Sequence, residues 1–261
     1  MGNSCMKAPL TIFFLFSLPL LAQGNYEVQV YGSDLVPPGN TMVEFHTNFT
    51  AQGSKQTTDG TYPTEHQFHE TIEITHGFNE WFETGWYIFT SAAPGQGWGW
   101  VGDHIRPRFA VPERYKLPVG LSISNEIGYQ RARYSADTWT WEIRPIVDKK
   151  FGKWYASFNP TFDKSFHGPS QSRGYEFSPN FKVSYDVTKV VAAGFEYYGA
   201  LGPVTGFDPL TEQQQQIVPA IDLNLGPNWE FNFGVGVGVT HGTDHLLIKM
   251  IIGRRFGKKK D

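Results

Sequence analysis

The stretch that decides the fold is Trp229-Glu-Phe-Asn-Phe-Gly-Val-Gly-Val-Gly-Val239. Its odd positions are all aromatic or Val residues, whereas its even positions are Glu, Asn or Gly. Successive side chains of a β-strand point to opposite faces, so one face of this stretch suits lipid and the other suits a polar or crowded interior. The stretch therefore predicts a strand that separates a bilayer from a lumen.

The same alternation recurs along the chain in runs close to the ten residues that a tilted membrane-spanning strand needs. In the last such run, Ile248, Met250 and Ile252 share one face, and Lys249 and Arg255 share the other. The alternation predicts about twelve strands and an antiparallel up-and-down β-barrel. The predicted strands cover residues 41–52, 64–75, 80–90, 98–110, 118–130, 137–147, 153–165, 174–186, 189–199, 217–225, 229–240 and 245–256. Residues predicted to face outward include Phe45, Trp86, Ile123, Trp139 and Phe195.

The connections between these strands alternate in length. They are short after even-numbered strands, as at residues 76–79 and 187–188, and mostly longer and richer in Gly, Pro, Ser and Gln after odd-numbered strands. Short turns at one rim and long loops at the other are typical of outer-membrane barrels. An even number of strands then places both termini at the short-turn rim. The polar tract at residues 213–216 is interpreted as part of the longest loop.

Two residue types bear on the strand assignments in opposite ways. Trp81, Trp98 and Trp154 fall near predicted strand ends, where amphipathic rings form interfacial girdles. Proline argues against the assignments, because it cannot donate to a strand ladder. The prolines inside predicted strands are Pro107, Pro145, Pro160, Pro179 and Pro219.

The amino-terminal segment predicts export. Lys7 is the only charge before the apolar run 10–21, which is too short for a spanning helix and has the length of a signal-peptide core. Small residues at 22–24 offer a cleavage site, and the alternative is a retained anchor. The predicted organisation is a signal peptide at 1–24, an amino-terminal lead-in at 25–40, a barrel at 41–256 and a basic periplasmic tail at 257–261. The lead-in is either periplasmic or tucked into the lumen.

Composition excludes several classes of function. The chain has a net charge of -3, and no basic run precedes its last few residues, so nucleic acid is not an expected partner. Cys5 is the only cysteine and lies upstream of the apolar run, so it is not the lipidated cysteine of a lipoprotein. The mature chain then has no thiol, which excludes disulfides, cysteine nucleophiles and cysteine metal ligands.

A family resemblance adds to this interpretation. The segments that carry it are Pro37-Pro-Gly39, Glu142-Ile-Arg-Pro-Ile146, Phe158-Asn-Pro160, Ala193-Gly-Phe-Glu-Tyr-Tyr198 and the closing strand that ends at Phe256. The mature chain resembles Gram-negative outer-membrane barrels related to proteins described as transporters of the MetA pathway of phenol degradation. The resemblance implies a place in the cell outer membrane, contact with its lipids and with the barrel-assembly machinery, and passage of small solutes, hydrophobic ones included. One departure is the tail after Phe256, since such barrels commonly end on the aromatic residue.

Charged residues at inward positions are the candidate functional residues. The selectivity candidates are Arg106, Arg108, Glu126, Glu142, Arg144, Lys182, Glu196 and Lys249, and Arg106, Arg108, Glu142 and Arg144 are predicted to form the central cluster. Further inward charges are Glu44, Glu73, Glu83, Asp222, Glu230 and Arg255. Acids and bases are mixed, so the set is either a salt-bridged polar filling or the lining of a small channel.

Three functions remain open from the sequence. The first is a passive channel or transporter for small solutes, and the second is a non-conducting structural or surface-binding barrel. The third is an outer-membrane hydrolase, for which His167 and Ser170 are the nearest candidates and lack a third orienting residue. No catalytic residue, cofactor or metal ligand is assigned. His66, His69, His76, His241 and His245 have no specific ligand spacing and are interpreted as loop or lumen residues.

Overall fold

Twelve antiparallel strands make up the body of the protein. The computed structural model describes residues 26–58 and 60–257, so the predicted signal peptide and nearly all of the basic tail lie outside the described residues. The strands are β1 (Thr41–Gln52), β2 (Phe68–Asn79), β3 (Phe82–Ala93), β4 (Gly97–Ala110), β5 (Gly120–Gln130), β6 (Trp139–Phe151), β7 (Trp154–His167), β8 (Tyr175–Asp186), β9 (Val191–Ala200), β10 (Gln214–Leu223), β11 (Trp229–Gly238) and β12 (Leu246–Phe256).

The strands pair in chain order and close into a ring. Each strand is antiparallel to the next, and β1 also pairs with β12, from Thr41 opposite Phe256 to Gln52 opposite Leu246. A two-residue strand, Gly202–Pro203, pairs with the start of β8. Two short 3₁₀ helices, Glu113–Tyr115 and Pro169–Ser172, lie in connections. Within the part of the chain that the structure describes, no helix has the length and apolar character to cross a membrane. The predicted closed antiparallel barrel is confirmed.

The alternation of side chains explains why a ring forms. Predicted outward residues are exposed on the wall, as with Phe45 at 42% and Trp86 at 48%, whereas Arg144 and Lys249 are buried inside it. In hydrocarbon every backbone polar group has to be satisfied within the protein, and a closed ladder does this without leaving an edge. The apolar exterior and the polar interior therefore follow from one period-two pattern.

Tryptophans mark both rims of the barrel. Six of the eight are exposed near strand ends: Trp98, Trp100 and Trp139 near the long-loop rim and Trp81, Trp154 and Trp229 near the short-turn rim. The Arg254 guanidinium lies 5.0 Å from the centre of the Trp229 ring. This contact keeps an outward-facing charge beside an aromatic surface at the end of its strand.

The prolines interrupt the ladder over short stretches without ending strands. Around Pro107, the β4–β5 pairing passes from Ile105 opposite Ile127 to Arg108 opposite Ser124 without a change of register. The missing N–H therefore costs a local pair and leaves the strand intact. Pro160 of β7 and Pro179 of β8 lie directly opposite each other in a pairing that runs without a gap from Trp154 to Lys164.

Some predicted boundaries were wrong. Strand β2 begins at Phe68 rather than at residue 64, because Thr64 and Gln67 close a turn through a Gln67 N–H to Thr64 carbonyl bond of 3.0 Å. Residues 214–216 belong to β10 and not to a solvated loop. Gln216 is buried in the lumen, where a polar side chain is compatible with a barrel strand. The polarity of this tract therefore did not indicate a loop, and the predicted start of β10 was too late.

Candidate functional site

Residues 26–36 lie inside the barrel, which decides between the two positions open for the lead-in. We call them the luminal segment. Tyr26, Val28 and Val30 are each about 5–6% exposed. At its far end, the Val36 N–H donates to Glu83 Oε2 at 2.6 Å near the short-turn rim. The segment thus runs from within the lumen to the rim where β1 begins.

Apolar packing fixes one side of the luminal segment. Val28 and Val30 share a buried cluster with Tyr198, Val218 and Leu247 of the barrel wall. Burying aliphatic side chains of this size contributes roughly 1.5–3 kcal/mol each. The segment is therefore attached to the β9, β10 and β12 side of the wall by hydrophobic contact.

Tyr31 attaches the opposite side of the segment to the predicted central cluster. Three guanidinium carbons lie near its ring centre, those of Arg144 at 4.9 Å, Arg106 at 5.1 Å and Arg108 at 5.7 Å. Its hydroxyl donates to the Glu27 carboxylate, and Glu27 Oε1 lies 3.6 Å from Arg144 Nη1. Desolvated cation–π contacts of this kind are each worth about 1–2 kcal/mol.

The backbone of Tyr31 is held as well. Its N–H donates to Asn159 Oδ1 at 2.8 Å, and its carbonyl accepts from Asn159 Nδ2 at 3.0 Å and Ser157 Oγ at 2.5 Å. Asn159 thereby replaces the strand partner that this extended residue would have in a sheet. Tyr31 is consequently the most thoroughly bound residue of the segment.

The carboxylates around the arginines complete this network. Arg106 Nη2 lies 2.5 Å from Glu73 Oε1 and 3.6 Å from Glu83 Oε1. Arg108 Nη1 lies 3.5 Å from Glu83 Oε1, and Arg144 Nη2 lies 2.7 Å from Glu142 Oε2. The four residues predicted to form the central cluster are therefore close to one another, with Tyr31 among the three arginines.

The other four selectivity candidates occupy two further parts of the lumen. Lys249 Nζ lies 2.5 Å from Glu196 Oε2, and Lys182 Nζ lies 3.3 Å from Glu196 Oε1 and 2.7 Å from Asp222 Oδ1. Glu126 Oε1 lies 2.6 Å from His104 Nδ1. All eight candidates face inward as the alternation predicts, and their role in selectivity stays a prediction.

Two cavities lie on either side of the luminal segment. The outer cavity, about 620 Å³, extends from Tyr26, Glu27 and Val28 to the long loops. The inner cavity, about 270 Å³, is lined by residues 29–32 and 34–36 together with wall residues near the short-turn rim. No described residue lines both cavities, so the luminal segment separates them.

Loop contacts shape the mouth of the outer cavity. Asp244 Oδ1 accepts from Thr64 Oγ1 at 2.6 Å, which ties the β11–β12 loop to the β1–β2 loop. The Gly53 N–H donates to Glu65 Oε2 at 2.7 Å, and this bond is the main reason that the pKa of Glu65 lies below its ordinary value. At neutral pH the carboxylate is therefore ionised and holds the base of the β1–β2 loop.

The histidines are spread over different environments. His66 lies in the β1–β2 loop, and His69 is buried with its ring 4.5 Å from that of Tyr26. His76 Nδ1 bonds to Thr41 Oγ1 at 2.9 Å. His46, which no sequence motif distinguishes, is fully buried and lies beside Glu44 and Glu73. Its inward position follows from the β1 alternation, but its neighbours depend on the register with β2.

The serine and histidine considered for a hydrolase do not form a catalytic pair in the described chain. His167 Nδ1 bonds to Thr138 Oγ1 at 2.8 Å. The Ser170 N–H donates to Asp137 Oδ1 at 3.0 Å, and that oxygen also accepts from Ser165 Oγ at 2.6 Å. These contacts stabilise the β7–β8 connection and orient no base toward a nucleophile.

Known structures share this architecture. An outer membrane channel from Pseudomonas putida F1 is similar over 88% of this chain and 100% of its own, with a TM-score of 0.59 and 9% sequence identity. The NanC porin is similar over 84% of this chain and 100% of its own, with a TM-score of 0.52 and 9% identity. No protein-family model and no curated protein matches the sequence. Similarity at this identity establishes the fold: the protein is a closed antiparallel β-barrel of the kind found in these outer-membrane proteins.

Proposed function

We propose that this protein is a passive channel for small solutes, whose narrowest part is formed by the luminal segment. The observation that carries the proposal is the pair of cavities that open toward opposite rims and are separated by residues 26–36. A twelve-stranded barrel is narrower than the sixteen- to eighteen-stranded porins, so one extended segment is enough to fill its middle. Solute passage then requires the segment to shift.

The surroundings of the narrowing favour small solutes with apolar parts. Tyr26 packs in a buried cluster with Tyr87, Phe89 and Val101, and Tyr26 and Phe89 also line the outer cavity. The resemblance to transporters of phenol degradation supports the same solute class. The charged residues predicted for selectivity would act on solutes by binding the polar end of such molecules.

A non-conducting barrel is the second candidate, because the luminal segment is bound on both sides. Tyr31 contacts three arginines and two wall side chains, while Val28 and Val30 are packed in an apolar cluster. Such a segment stabilises the barrel whether or not it moves. The protein would then act through its long loops, which carry recognition more often than packed strands do.

Bilayer conductance and solute flux into vesicles distinguish these functions. The chain without the predicted signal peptide, residues 25–261, is called the mature chain and is compared with a variant that also lacks residues 26–36. We expect small conductance and slow flux from the mature chain and a large increase in both from the deletion variant. Conductance from the deletion variant alone would support the closed barrel, and no conductance from either would refute the channel.

The hydrolase is tested separately with lipid and ester substrates. The proposal expects no hydrolysis by the reconstituted mature chain. Activity that is lost in Ser170→Ala would contradict it.

A further inference from the structure

Two neighbouring strands bring a histidine and two carboxylates together on the lumen wall. Glu44 and His46 are alternate inward residues of β1, and Glu73 of β2 lies directly opposite Glu44. The three side chains are at most 6% exposed. Each offers one ligand atom, and these atoms lie within 4.8 Å of one another. The register between β1 and β2 therefore creates a compact group of nitrogen and oxygen donors.

Several polar atoms of this group have no hydrogen-bond partner among the described residues. They are Glu44 Oε1, His46 Nδ1, His46 Nε2 and Glu73 Oε2. His46 Nε2 faces Glu73 Oε2 at 3.3 Å without the geometry of a hydrogen bond. A buried polar atom without a partner costs about 1–3 kcal/mol. A cation bound by one nitrogen of His46, by Glu44 Oε1 and by Glu73 Oε2 would satisfy three of these four atoms.

The other carboxylate oxygen of Glu73, Oε1, already has two polar partners. Glu73 Oε1 lies 2.5 Å from Arg106 Nη2 and accepts from Thr75 Oγ1 at 2.6 Å. These contacts orient the carboxylate and leave Oε2 directed at His46. Polar neighbours that hold a ligand in this way are usual in metal sites.

The charge around Glu44 also favours a cation. Glu44 and Glu230 are inward carboxylates that line the inner cavity, and neither forms a salt bridge with a described lysine or arginine. Glu230 Oε1 accepts from Gln29 Nε2 at 3.2 Å, and the carboxyl groups of Glu44 and Glu230 lie within hydrogen-bonding reach of each other. Buried carboxylates need a proton, an ion pair or a metal ion to offset their desolvation. The inner cavity gives an ion access to this place from the short-turn rim.

We propose that Glu44, His46 and Glu73 bind a divalent transition-metal ion, with Zn²⁺ as the preferred ion. Imidazole and carboxylate together suit Zn²⁺ better than Ca²⁺ or Mg²⁺, which select oxygen ligands. Zn²⁺ bonds to these donors at about 2.0–2.2 Å, so its ligand atoms lie about 3.4 Å apart in a tetrahedral site. Binding therefore requires the three ligand atoms to approach from within 4.8 Å to that spacing. Three protein ligands leave a fourth position for water or Glu230.

Metal binding is measured on the folded mature chain in detergent after treatment with a chelator. Titration calorimetry with Zn²⁺ is expected to give one site per barrel, and Co²⁺ is expected to give the visible absorption bands of a low-coordinate histidine–carboxylate site. His46→Gln should weaken Zn²⁺ binding by roughly 10- to 100-fold or more, since it removes a direct ligand. Glu44→Gln, which keeps the side-chain shape, should weaken it as well.

Two histidine variants serve as controls. His69→Gln changes another buried histidine of the same lumen wall, and His66→Ala removes an exposed loop histidine. Both should retain Zn²⁺ binding. Heat-dependent migration in electrophoresis verifies that each variant forms a barrel, and Glu44→Gln provides the test if His46→Gln does not fold.

Three results would overturn the site. They are an absence of Zn²⁺ binding to the folded chain, binding that survives both His46→Gln and Glu44→Gln, and binding that is lost with His66→Ala. A preference for Ca²⁺ over Zn²⁺ that is unchanged in His46→Gln would also contradict the proposed site. None of these results depends on conductance, so the metal site and the channel fail independently.

Discussion

At the scale of single residues, the lumen contains charges that depend on their partners. Lys249 and Glu196 are fully buried and 2.5 Å apart, and Lys182 approaches the same carboxylate. Desolvation offsets much of the attraction in a buried pair, but removing one partner leaves an uncompensated charge. The stability lost through a substitution here therefore depends on which buried charge is left without its partner.

This argument predicts the outcome of a double-mutant cycle. Glu196→Gln should lower the free energy of unfolding by about 3–5 kcal/mol, because two lysines lose their common carboxylate. The double variant Glu196→Gln with Lys249→Met should recover a large part of that loss. Urea unfolding in lipid vesicles, followed by tryptophan fluorescence, measures both values. Equal stability of the single and double variants would contradict the coupling.

Tyr31 permits a second test on a single residue. Tyr31→Ala removes the ring that lies among Arg106, Arg108 and Arg144 and should increase single-channel conductance. Tyr31→Phe keeps the ring and the backbone bonds to Asn159, so its conductance should stay near that of the mature chain. Bilayer recordings compare the two variants, and a similar increase in both would show that the hydroxyl, not the ring, holds the segment.

At the scale of strands, the sequence predicts the strands of the barrel wall better than it predicts the residues that fill the lumen. The alternation in 229–239 identifies β11 because lipid and lumen select opposite residue types. Tyr26 to Tyr31 alternates in the same way but pairs with side chains instead of a strand, so periodicity could not place it. The group of Glu44, His46 and Glu73 depends on a cross-strand register that no single strand encodes.

The outward face of β11 gives a test of membrane depth. Phe233 lies near the middle of the strand and Trp229 at its short-turn end. Phe233→Arg should cost about 2–4 kcal/mol, because the charge would face the bilayer midplane, whereas Trp229→Arg should cost about 1 kcal/mol or less from the charge. Equilibrium unfolding in vesicles measures both, and equal costs would contradict the predicted orientation in the membrane.

At the scale of the whole molecule, the barrel and the luminal segment act as one packed body. The segment contributes Val28 and Val30 to one buried cluster and Tyr26 to another, so both hydrophobic clusters of the described interior include residues of the segment. Movement of the segment would have to exchange these contacts for others. The two cavities show where the displaced residues could go.

A reversible cross-link tests whether such movement accompanies conductance. Cysteines at Val28 and Leu247, which belong to the same cluster, can be introduced because residues 25–261 contain no cysteine. The oxidised variant should lose solute flux, and a reductant should restore it. The single variant Val28→Cys serves as the control. Flux that persists through complete oxidation would show that solutes pass without displacing the segment.

The pairing of β1 with β12 also constrains how the molecule is made. This seam joins the earliest strand of the barrel to the latest, and the luminal segment leads directly into that earliest strand. Once the seam is sealed, the segment is enclosed by a continuous ring of strands. The chain therefore has to fill its own interior before or while the last rungs form, so the ring closes around its contents instead of receiving them afterwards.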